Sequence, residues 1–315
     1  MPTATSQVVS QLQRSIARAI YGKEEAIQLA LITLLARGHL LIEDVPGVGK
    51  TTLAQALAKS FQCGFQRVQF TSDLLPSDVI GVSVYNPETR EFEFRSGPIF
   101  ANVVLADEIN RTTPRTQSAL LEAMNDAQVT VDGKTHLLPV PFLVIATQNP
   151  VEHHGTYPLP ESQLDRFLMR IKMGYPSQET EKEILRKRAN DDPLQSLKPV
   201  ADINDVLGMQ EAVTHVRVDS SLQDYALEIV NRTRKSDQLA LGVSPRGTLM
   251  LQRAAQARAF LDGRDYCLPD DFKQLAVSVF AHRVVASARH ASLQRKSETT
   301  ETALREIVDS VRVPL

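Results

Sequence analysis

The sequence predicts an α/β fold with a five-stranded parallel sheet between helices, followed by a smaller all-α domain. Five short apolar runs recur at wide intervals, at residues 39–42, 65–70, 103–106, 143–147 and 169–173. Strands that alternate with helices favour a parallel sheet covered on both faces. After residue 199 almost only helical periodicity remains. We therefore expect an α/β domain over residues 1–192 and a linker with a helical domain over residues 193–315.

The individual elements follow from local patterns. β-rich arms flank an Asn-Pro-Glu-Thr turn within residues 82–94 and an Asp-Gly turn within residues 129–137, so both segments are predicted hairpins. Such projecting hairpins are either tolerated surface decoration or a working contact surface. Apolar residues at helical spacing predict helices at 6–20, 24–36, 51–60, 116–126, 203–213, 221–234, 245–262, 270–290 and 301–312.

Length and composition limit the class of protein. The 315 residues suffice for one large or two ordinary domains, and the net charge of −2 favours neither nucleic acid nor a membrane surface as a partner. No window approaches the 18 or so uninterrupted apolar residues of a membrane span. The first residues lack a charged region followed by an apolar run, as a signal peptide would have. We expect a cytoplasmic protein without a membrane span.

The segment 40–52 is typical of a phosphate-binding loop, because an apolar run leads through a Pro/Gly turn into a helix. Glycines allow several N–H groups to point inward, and the helix N-terminus adds positive potential. Lys50 would reach the β- and γ-phosphates, and the Thr51 hydroxyl would bind Mg²⁺. Asp44 stands where the first glycine of the usual pattern is expected. The predicted loop residues are Pro46, Gly47, Val48, Gly49, Lys50, Thr51 and Thr52.

A phosphate-binding loop predicts a second strand that ends in acidic residues, and Asp107 and Glu108 follow the run 103–106. Asp107 would hold Mg²⁺, and Glu108 would polarise the water that attacks the γ-phosphate. Taken alone, such a pair is equally typical of a helix cap. The upstream loop favours the catalytic interpretation.

Three polar residues complete the predicted site. Asn149 follows the run 143–147, where an amide can touch both the γ-phosphate and the attacking water, although Asn-Pro is also an ordinary turn. Arg166 lies between apolar residues, so we expect an anchored backbone and an outward guanidinium group. Arg246 follows a Ser-Pro helix start, where a cation gains nothing from the helix dipole. It would instead reach back to phosphate across the cleft between the domains.

The ordered motifs of the chain resemble those of the MoxR family of AAA+ ATPases, from about Tyr21 to the C-terminal helices. The resemblance is carried by EDVPGVGKTT at 43–52, LADEINR at 105–111, ATQNP at 146–150, PESQLDRF at 160–167 and SPR at 244–246. This family often has Asp or Gly at the position of Asp44. The two hairpins resemble the helix-2 insert and the pre-sensor-1 hairpin of the branch that holds magnesium chelatases and MCM helicases.

The resemblance implies a role for each motif. Residues 46–52 would be Walker A, Asp107 and Glu108 Walker B, and Asn149 sensor 1. Arg246 would be sensor 2, which contacts the γ-phosphate in the same subunit, and Arg166 the arginine finger of the neighbouring site. Tyr21 and Gly22 lie where the family has its adenine-side loop. Arg111 and Arg115 would face either a subunit boundary or solvent at a helix start. His153 and His154 are interpreted as polar residues of a loop and not as zinc ligands.

The same resemblance implies ATP and Mg²⁺ as cofactors and a homo-oligomer, a hexameric ring as in relatives. Family members remodel or mature client protein complexes, for example by assisting metal-cofactor insertion, often with a partner that carries a von Willebrand factor A domain. A magnesium-chelatase-like role is closely related to this function.

Two other classes of function stay open. A nucleic-acid motor would use the same hairpins, but the tips carry a mixed set of charges that argues against tracking phosphates. The residues at the hairpin tips are Asn86, Glu88, Arg90, Asp132 and Lys134.

A non-catalytic, nucleotide-dependent scaffold would not require Glu108, Asn149 and Arg166, all of which are present.

Overall fold

The computed structural model describes residues 3–150, 155–188, 193–287 and 296–314. Within these ranges no helix combines the length and the apolar character needed to cross a bilayer. The strands are β1 (Leu40–Glu43), β2 (Phe65–Gln69), β3 (Gly81–Asn86), β4 (Glu91–Ser96), β5 (Val103–Asp107), β6 (Gln128–Val131), β7 (Lys134–Leu137), β8 (Leu143–Gln148), β9 (Met169–Ile171), β10 (Leu239–Leu241) and β11 (Val285–Ala286).

The helices of the α/β part are α1 (Thr3–Ala19), α2 (Glu24–Leu35), α3 (Lys50–Ser60), α4 (Pro76–Ile80), α5 (Pro114–Asp126), α6 (Glu161–Leu164) and α7 (Gln178–Arg188). Those that follow are α8 (Pro193–Ser196), α9 (Ile203–Thr214), α10 (Ser220–Lys235), α11 (Pro245–Leu261), α12 (Pro269–Phe280) and α13 (Lys296–Ser310). The predicted domain boundary adjoins residues 189–192, which lie outside the described residues, and it stays a prediction.

The predicted parallel sheet is confirmed. Its five strands have the order β2-β5-β8-β1-β9, and all neighbouring pairs are parallel. Parallel strands end at the same edge, so the register brings Gln69 beside Asp107 and Glu43 beside Gln148. Two acidic and two amide side chains therefore meet at the carboxyl edge of the sheet.

Alternate strand residues are divided between two apolar layers, because successive side chains point to opposite faces of a sheet. Leu105 and Ile145 join the layer of α1, α2 and α3, which continues into the buried residues of the helical domain. Val104 and Val144 join the layer under α5. Every residue of β5 is buried, as expected for a strand covered on both faces.

The two predicted hairpins are confirmed as the antiparallel pairs β3–β4 and β6–β7. Asp132 and Gly133 both have positive φ, at 51° and 74°, which fits the two-residue turn expected of Asp-Gly. Phe94 stacks on His136 at a centroid distance of 3.8 Å, so the hairpins contact each other through their rings.

The helical domain follows the predicted helices except at one, and it also contains the short strand pair β10–β11, which was not predicted. α12 ends at Phe280 and not at residue 290, because the chain turns to place Val285 and Ala286 beside β10. Arg283 donates a hydrogen bond to the Val279 carbonyl and so satisfies a carbonyl group at the end of α12. The last three residues of the predicted helix, 288–290, lie outside the described part of the chain.

His39, just before β1, is buried as a neutral ring. Its Nδ1 accepts the Val144 N–H at 3.0 Å, and its Nε2 donates to the Met124 carbonyl at 2.9 Å. Burial lowers the pKa of His39 to about 4, although the bond to Met124 acts in the opposite direction. Burial and the charge of Arg283 likewise lower the pKa of His282.

We expect the protein to lose stability on mild acidification. An unfolded His39 binds a proton below a pKa of about 6.5, whereas the folded ring stays neutral until the pH approaches 4. The unfolded state therefore binds more protons in this window, and His39 alone should lower the free energy of unfolding by about 2 kcal/mol between pH 7 and pH 5.

Urea unfolding at several pH values measures this dependence. In His39→Gln the loss between pH 7 and pH 5 should be smaller than in the wild type, whatever its stability at pH 7. An unchanged slope in that variant would assign the effect to other groups, with His282 as the first to test.

Candidate nucleotide-binding site

A cavity of about 440 Å³ lies at the carboxyl edge of the sheet, where the strand ends meet α3 and the turn after α1. It is lined by the whole loop from Pro46 to Thr52 together with Tyr21, Asp107, Glu108 and Asn149. These predicted site residues lie at the ends of three strands, β1, β5 and β8, and in the turn after α1. Gly22, Arg166 and Arg246 do not line it.

The loop 46–52 has the backbone of an anion-binding turn. Gly47 and Gly49 have φ values of 85° and 98°, in the left-handed region that favours glycine. α3 begins at Lys50, so the N–H groups of its first turn and the positive end of its dipole lie at the cavity. The Lys50 amine donates to the Asp44 carbonyl at 2.7 Å, which places it at the mouth of the loop.

Asp107 ends β5 with its carboxylate held on both sides. Oδ1 accepts the Thr147 hydroxyl at 2.6 Å, and Oδ2 accepts the Arg67 guanidinium at 2.6 Å and 3.1 Å. Arg67 also lines the cavity and was not predicted from the sequence. The available signal was the spacing of two residues between Arg67 and Gln69 in a predicted strand, which puts both side chains on one strand face.

Glu108 adopts a backbone conformation that is uncommon for a side chain of its kind, with φ 57° and ψ 48°. Its N–H donates to the Thr147 hydroxyl at 2.9 Å. Its carboxylate accepts Gln69 Nε2 at 2.8 Å and pairs with Arg111 Nε at 3.2 Å. Such strained backbones concentrate at functional sites because neighbouring contacts hold them in place. Here the contacts aim Glu108 into the cavity.

The donor set fits ATP and Mg²⁺. Backbone N–H groups at a helix N-terminus and the Lys50 amine suit phosphate oxygens. The Thr51 hydroxyl and the Asp107 carboxylate are oxygen ligands of the kind that Mg²⁺ prefers.

Comparison with known proteins gives the family. Residues 39–169 match the ATPase family associated with various cellular activities (AAA), and residues 231–307 match the AAA lid domain. Chaperone MoxR1 of Mycobacterium tuberculosis is 43% identical over 289 residues, which cover 88% of this chain and 76% of that protein. This chain belongs to the MoxR family of AAA+ ATPases.

Other relatives extend the match over nearly the whole chain. The protein YeaC of Bacillus subtilis is 52% identical over 300 residues, which cover 95% of this chain and 93% of that protein. A crystal structure from Cytophaga hutchinsonii superposes with a TM-score of 0.90 at 37% identity, over 99% of this chain and 96% of that one. The AAA+ core with a helical lid is thus the fold of this MoxR-family chain.

Two of the site residues predicted from the MoxR resemblance, Arg166 and Arg246, lie away from the cavity of their own chain. Arg166 is partly buried, and its guanidinium donates to the Leu121 carbonyl of α5, so the predicted outward orientation is wrong for this structure. Arg246 is exposed in the first turn of α11 and does not reach the cavity. The sensor-2 role implied for Arg246 stays a prediction.

Asp165 connects the segments that carry these two arginines. Its carboxylate accepts the Ser244 hydroxyl at 3.1 Å and 3.2 Å and the Arg283 guanidinium at 3.0 Å. Ser244 also caps α11 by accepting the Gly247 N–H at 3.2 Å. Burial lowers the pKa of Arg283 to about 10, an effect that Asp165 partly offsets. Nothing in the local sequence pattern indicated this ion pair between core and lid.

The remaining predicted positions are placed as follows. Gly22 forms a turn with φ 66° beside Thr180, next to Tyr21 but outside the cavity. Arg111 is exposed and paired with Glu108, and Arg115 is exposed in the first turn of α5. Their position at a subunit boundary stays a prediction, and residues 153–154 lie outside the described residues.

Proposed function

We propose that this chain binds ATP with Mg²⁺ and hydrolyses it to remodel or mature a client protein complex. The observation that carries the proposal is that the glycine loop, Lys50, Asp107, Glu108 and Asn149 all line the same cavity. Membership of the MoxR family and the name of the relative Chaperone MoxR1 support it. The cytoplasmic location expected from the sequence stays a prediction.

Each cavity residue has a defined task in this proposal. The loop N–H groups and Lys50 bind and orient the phosphates, while Thr51 and Asp107 hold Mg²⁺, which supplies positive charge to the phosphate oxygens. Glu108 accepts a proton from the attacking water. Asn149 orients that water and the γ-phosphate.

A neighbouring subunit would complete the site. Arg166 does not line the cavity of its own chain, which supports a role in the site of an adjacent copy. We infer a homo-oligomer, a hexameric ring as the family resemblance implies, in which Arg246 moves with the lid toward bound phosphate. That movement would reach the client, and a von Willebrand factor A domain partner, through the hairpins.

The hairpin surfaces favour a protein client over a nucleic acid. Phe92 is 69% exposed and Leu137 is 76% exposed, whereas Glu88 and Asp132 stand with Arg90 at the tips. Exposed apolar side chains suit contact with protein. A phosphate backbone would require clustered cations.

The proposal is tested first at the level of binding. Lys50→Ala should weaken the binding of MgATP by about 10- to 100-fold, because it removes the charged donor to the phosphates. Isothermal titration of the purified protein measures this change. Lys59→Ala is the matched control, since its amine lies on the same helix but bonds to the Leu194 carbonyl.

Wild-type protein that binds no MgATP, or equal affinities in Lys50→Ala and wild type, would contradict the proposal. Stimulation of ATP hydrolysis by DNA would instead favour the nucleic-acid motor.

A further inference from the structure

Asp44 holds a distant segment of the chain in addition to its own loop. It is buried, and its Oδ2 accepts the N–H groups of Met173 and Gly174, both at 2.6 Å. Its Oδ1 accepts the N–H of Val45 at 2.8 Å. Three amide donors thus satisfy one carboxylate, which offsets the cost of burying it.

Lys23 holds the same segment from its other side. Its amine donates to the carbonyl groups of Met173 at 2.7 Å, Gly174 at 2.9 Å and Tyr175 at 3.0 Å. The segment 173–175, which follows β9 and leads toward α7, is therefore bonded through its N–H groups by Asp44 and through its carbonyl groups by Lys23. The negative carboxylate of Asp44 thus faces the N–H ends of these peptide groups, and the positive amine of Lys23 faces their carbonyl ends.

These contacts end at the nucleotide cavity. Lys23 lines the cavity, as does Pro176, which directly follows the held segment. The Asp44 carbonyl accepts the Lys50 amine at 2.7 Å, whereas Asp44 itself does not line the cavity. Asp44 thus bonds through its carboxylate to the segment that leads into the cavity wall at Pro176, and through its main-chain carbonyl to the lysine that is to bind phosphate.

We propose that Asp44 and Lys23 are positioning residues for nucleotide binding. Together they fix segment 173–175 against the phosphate-binding loop, and so hold Lys50 and the wall at Pro176 in the geometry that receives ATP. The inference rests on the proposed function, since it assumes that ATP occupies this cavity. It assigns a task to Asp44, the residue that departs from the usual glycine pattern.

The decisive variant is Asp44→Gly, which restores that glycine. If position 44 served only the loop conformation, the variant would bind MgATP as well as the wild type does. We expect instead a 10- to 100-fold increase in Kd, with kcat at saturating ATP within about twofold of wild type. Asp44→Asn keeps one carbonyl oxygen and should lose less affinity than Asp44→Gly.

A second readout needs no nucleotide. Hydrogen–deuterium exchange of the full chain without ATP should show faster exchange of the Met173 and Gly174 amides in Asp44→Gly. Lys23→Gln leaves both amide bonds to Asp44 in place, so it should weaken MgATP binding with less change in their exchange. In the double variant the increase in Kd should fall short of the product of the single effects, because both act through one segment.

The outcomes separate this inference from the proposed function. Wild-type protein that binds no MgATP would overturn the function and leave the exchange result as the test of the contacts. Tight MgATP binding by Asp44→Gly, with unchanged exchange at 173–174, would overturn the positioning role alone. If Asp44→Gly does not fold, Lys23→Gln decides, and a Kd equal to wild type then refutes the inference.

Discussion

Arg166→Ala is expected to lower ATP hydrolysis by about 10³- to 10⁵-fold while MgATP binding stays near wild type. A guanidinium supplied by a neighbouring subunit stabilises the charge that develops in the transition state, and its loss has effects of this size in comparable systems. Binding should persist because Arg166 does not line the cavity of its own chain.

The structure shows how such a residue can be presented. The next residue, Phe167, is fully buried, and Asp165 is bonded to Arg283, so the backbone around Arg166 is fixed. The guanidinium bonds to the Leu121 carbonyl, and it would exchange this neutral acceptor for a charged phosphate at the subunit boundary. Charge-assisted bonds are the stronger of the two kinds.

Mixing two inactive variants tests whether Arg166 acts in the site of a neighbouring subunit. Lys50→Ala subunits cannot bind ATP well but still carry Arg166, so mixed with Arg166→Ala subunits they should restore measurable hydrolysis. Arg166→Lys should stay impaired, because an amine lacks the planar fork of donors. Arg217→Ala, which removes an exposed arginine of the helical domain, is the control and should retain full activity.

Full hydrolysis by Arg166→Ala, or by an isolated single chain, would contradict the role of Arg166. So would mixed oligomers of Arg166→Ala and Lys50→Ala that form but stay inactive.

The sheet and much of the cavity could be predicted because their signals are local. Buried parallel strands read as continuous apolar runs, and the loop and the acidic pair each occupy consecutive residues. Helix α7 was not predicted, since its sequence is dominated by charged residues and shows no clear apolar face.

The contacts that shape the site could not be predicted because they join residues far apart in the chain. Asp44 and Gly174 are 130 positions apart, and Asp165 and Arg283 are 118 apart. Arg283, which bonds to a carbonyl group at the end of α12, is one of these partners and is buried. Local propensity carries no information about such partners.

Glu108→Gln is expected to lower hydrolysis by about 10²- to 10⁴-fold without loss of MgATP binding. The amide has the shape of the carboxylate and can still accept the bond from Gln69, but it cannot take up the proton of the attacking water. Single-turnover hydrolysis and equilibrium binding measure the two parts separately. Glu122→Gln, an exposed position on α5, makes the same chemical change outside the cavity and should retain wild-type hydrolysis.

Because Glu108→Gln should hold ATP without cleaving it, the assembled oligomer and its client should accumulate in that variant, and affinity capture with ATP would recover both. Mixing experiments then distinguish the two catalytic residues. Glu108→Gln subunits should restore hydrolysis to Arg166→Ala subunits, since each supplies what the other lacks. Mixed with Lys50→Ala subunits they should not, because every site then lacks either Lys50 or Glu108. Activity in that second mixture would mean that Glu108 acts in a neighbouring subunit, contrary to its place in the cavity of its own chain.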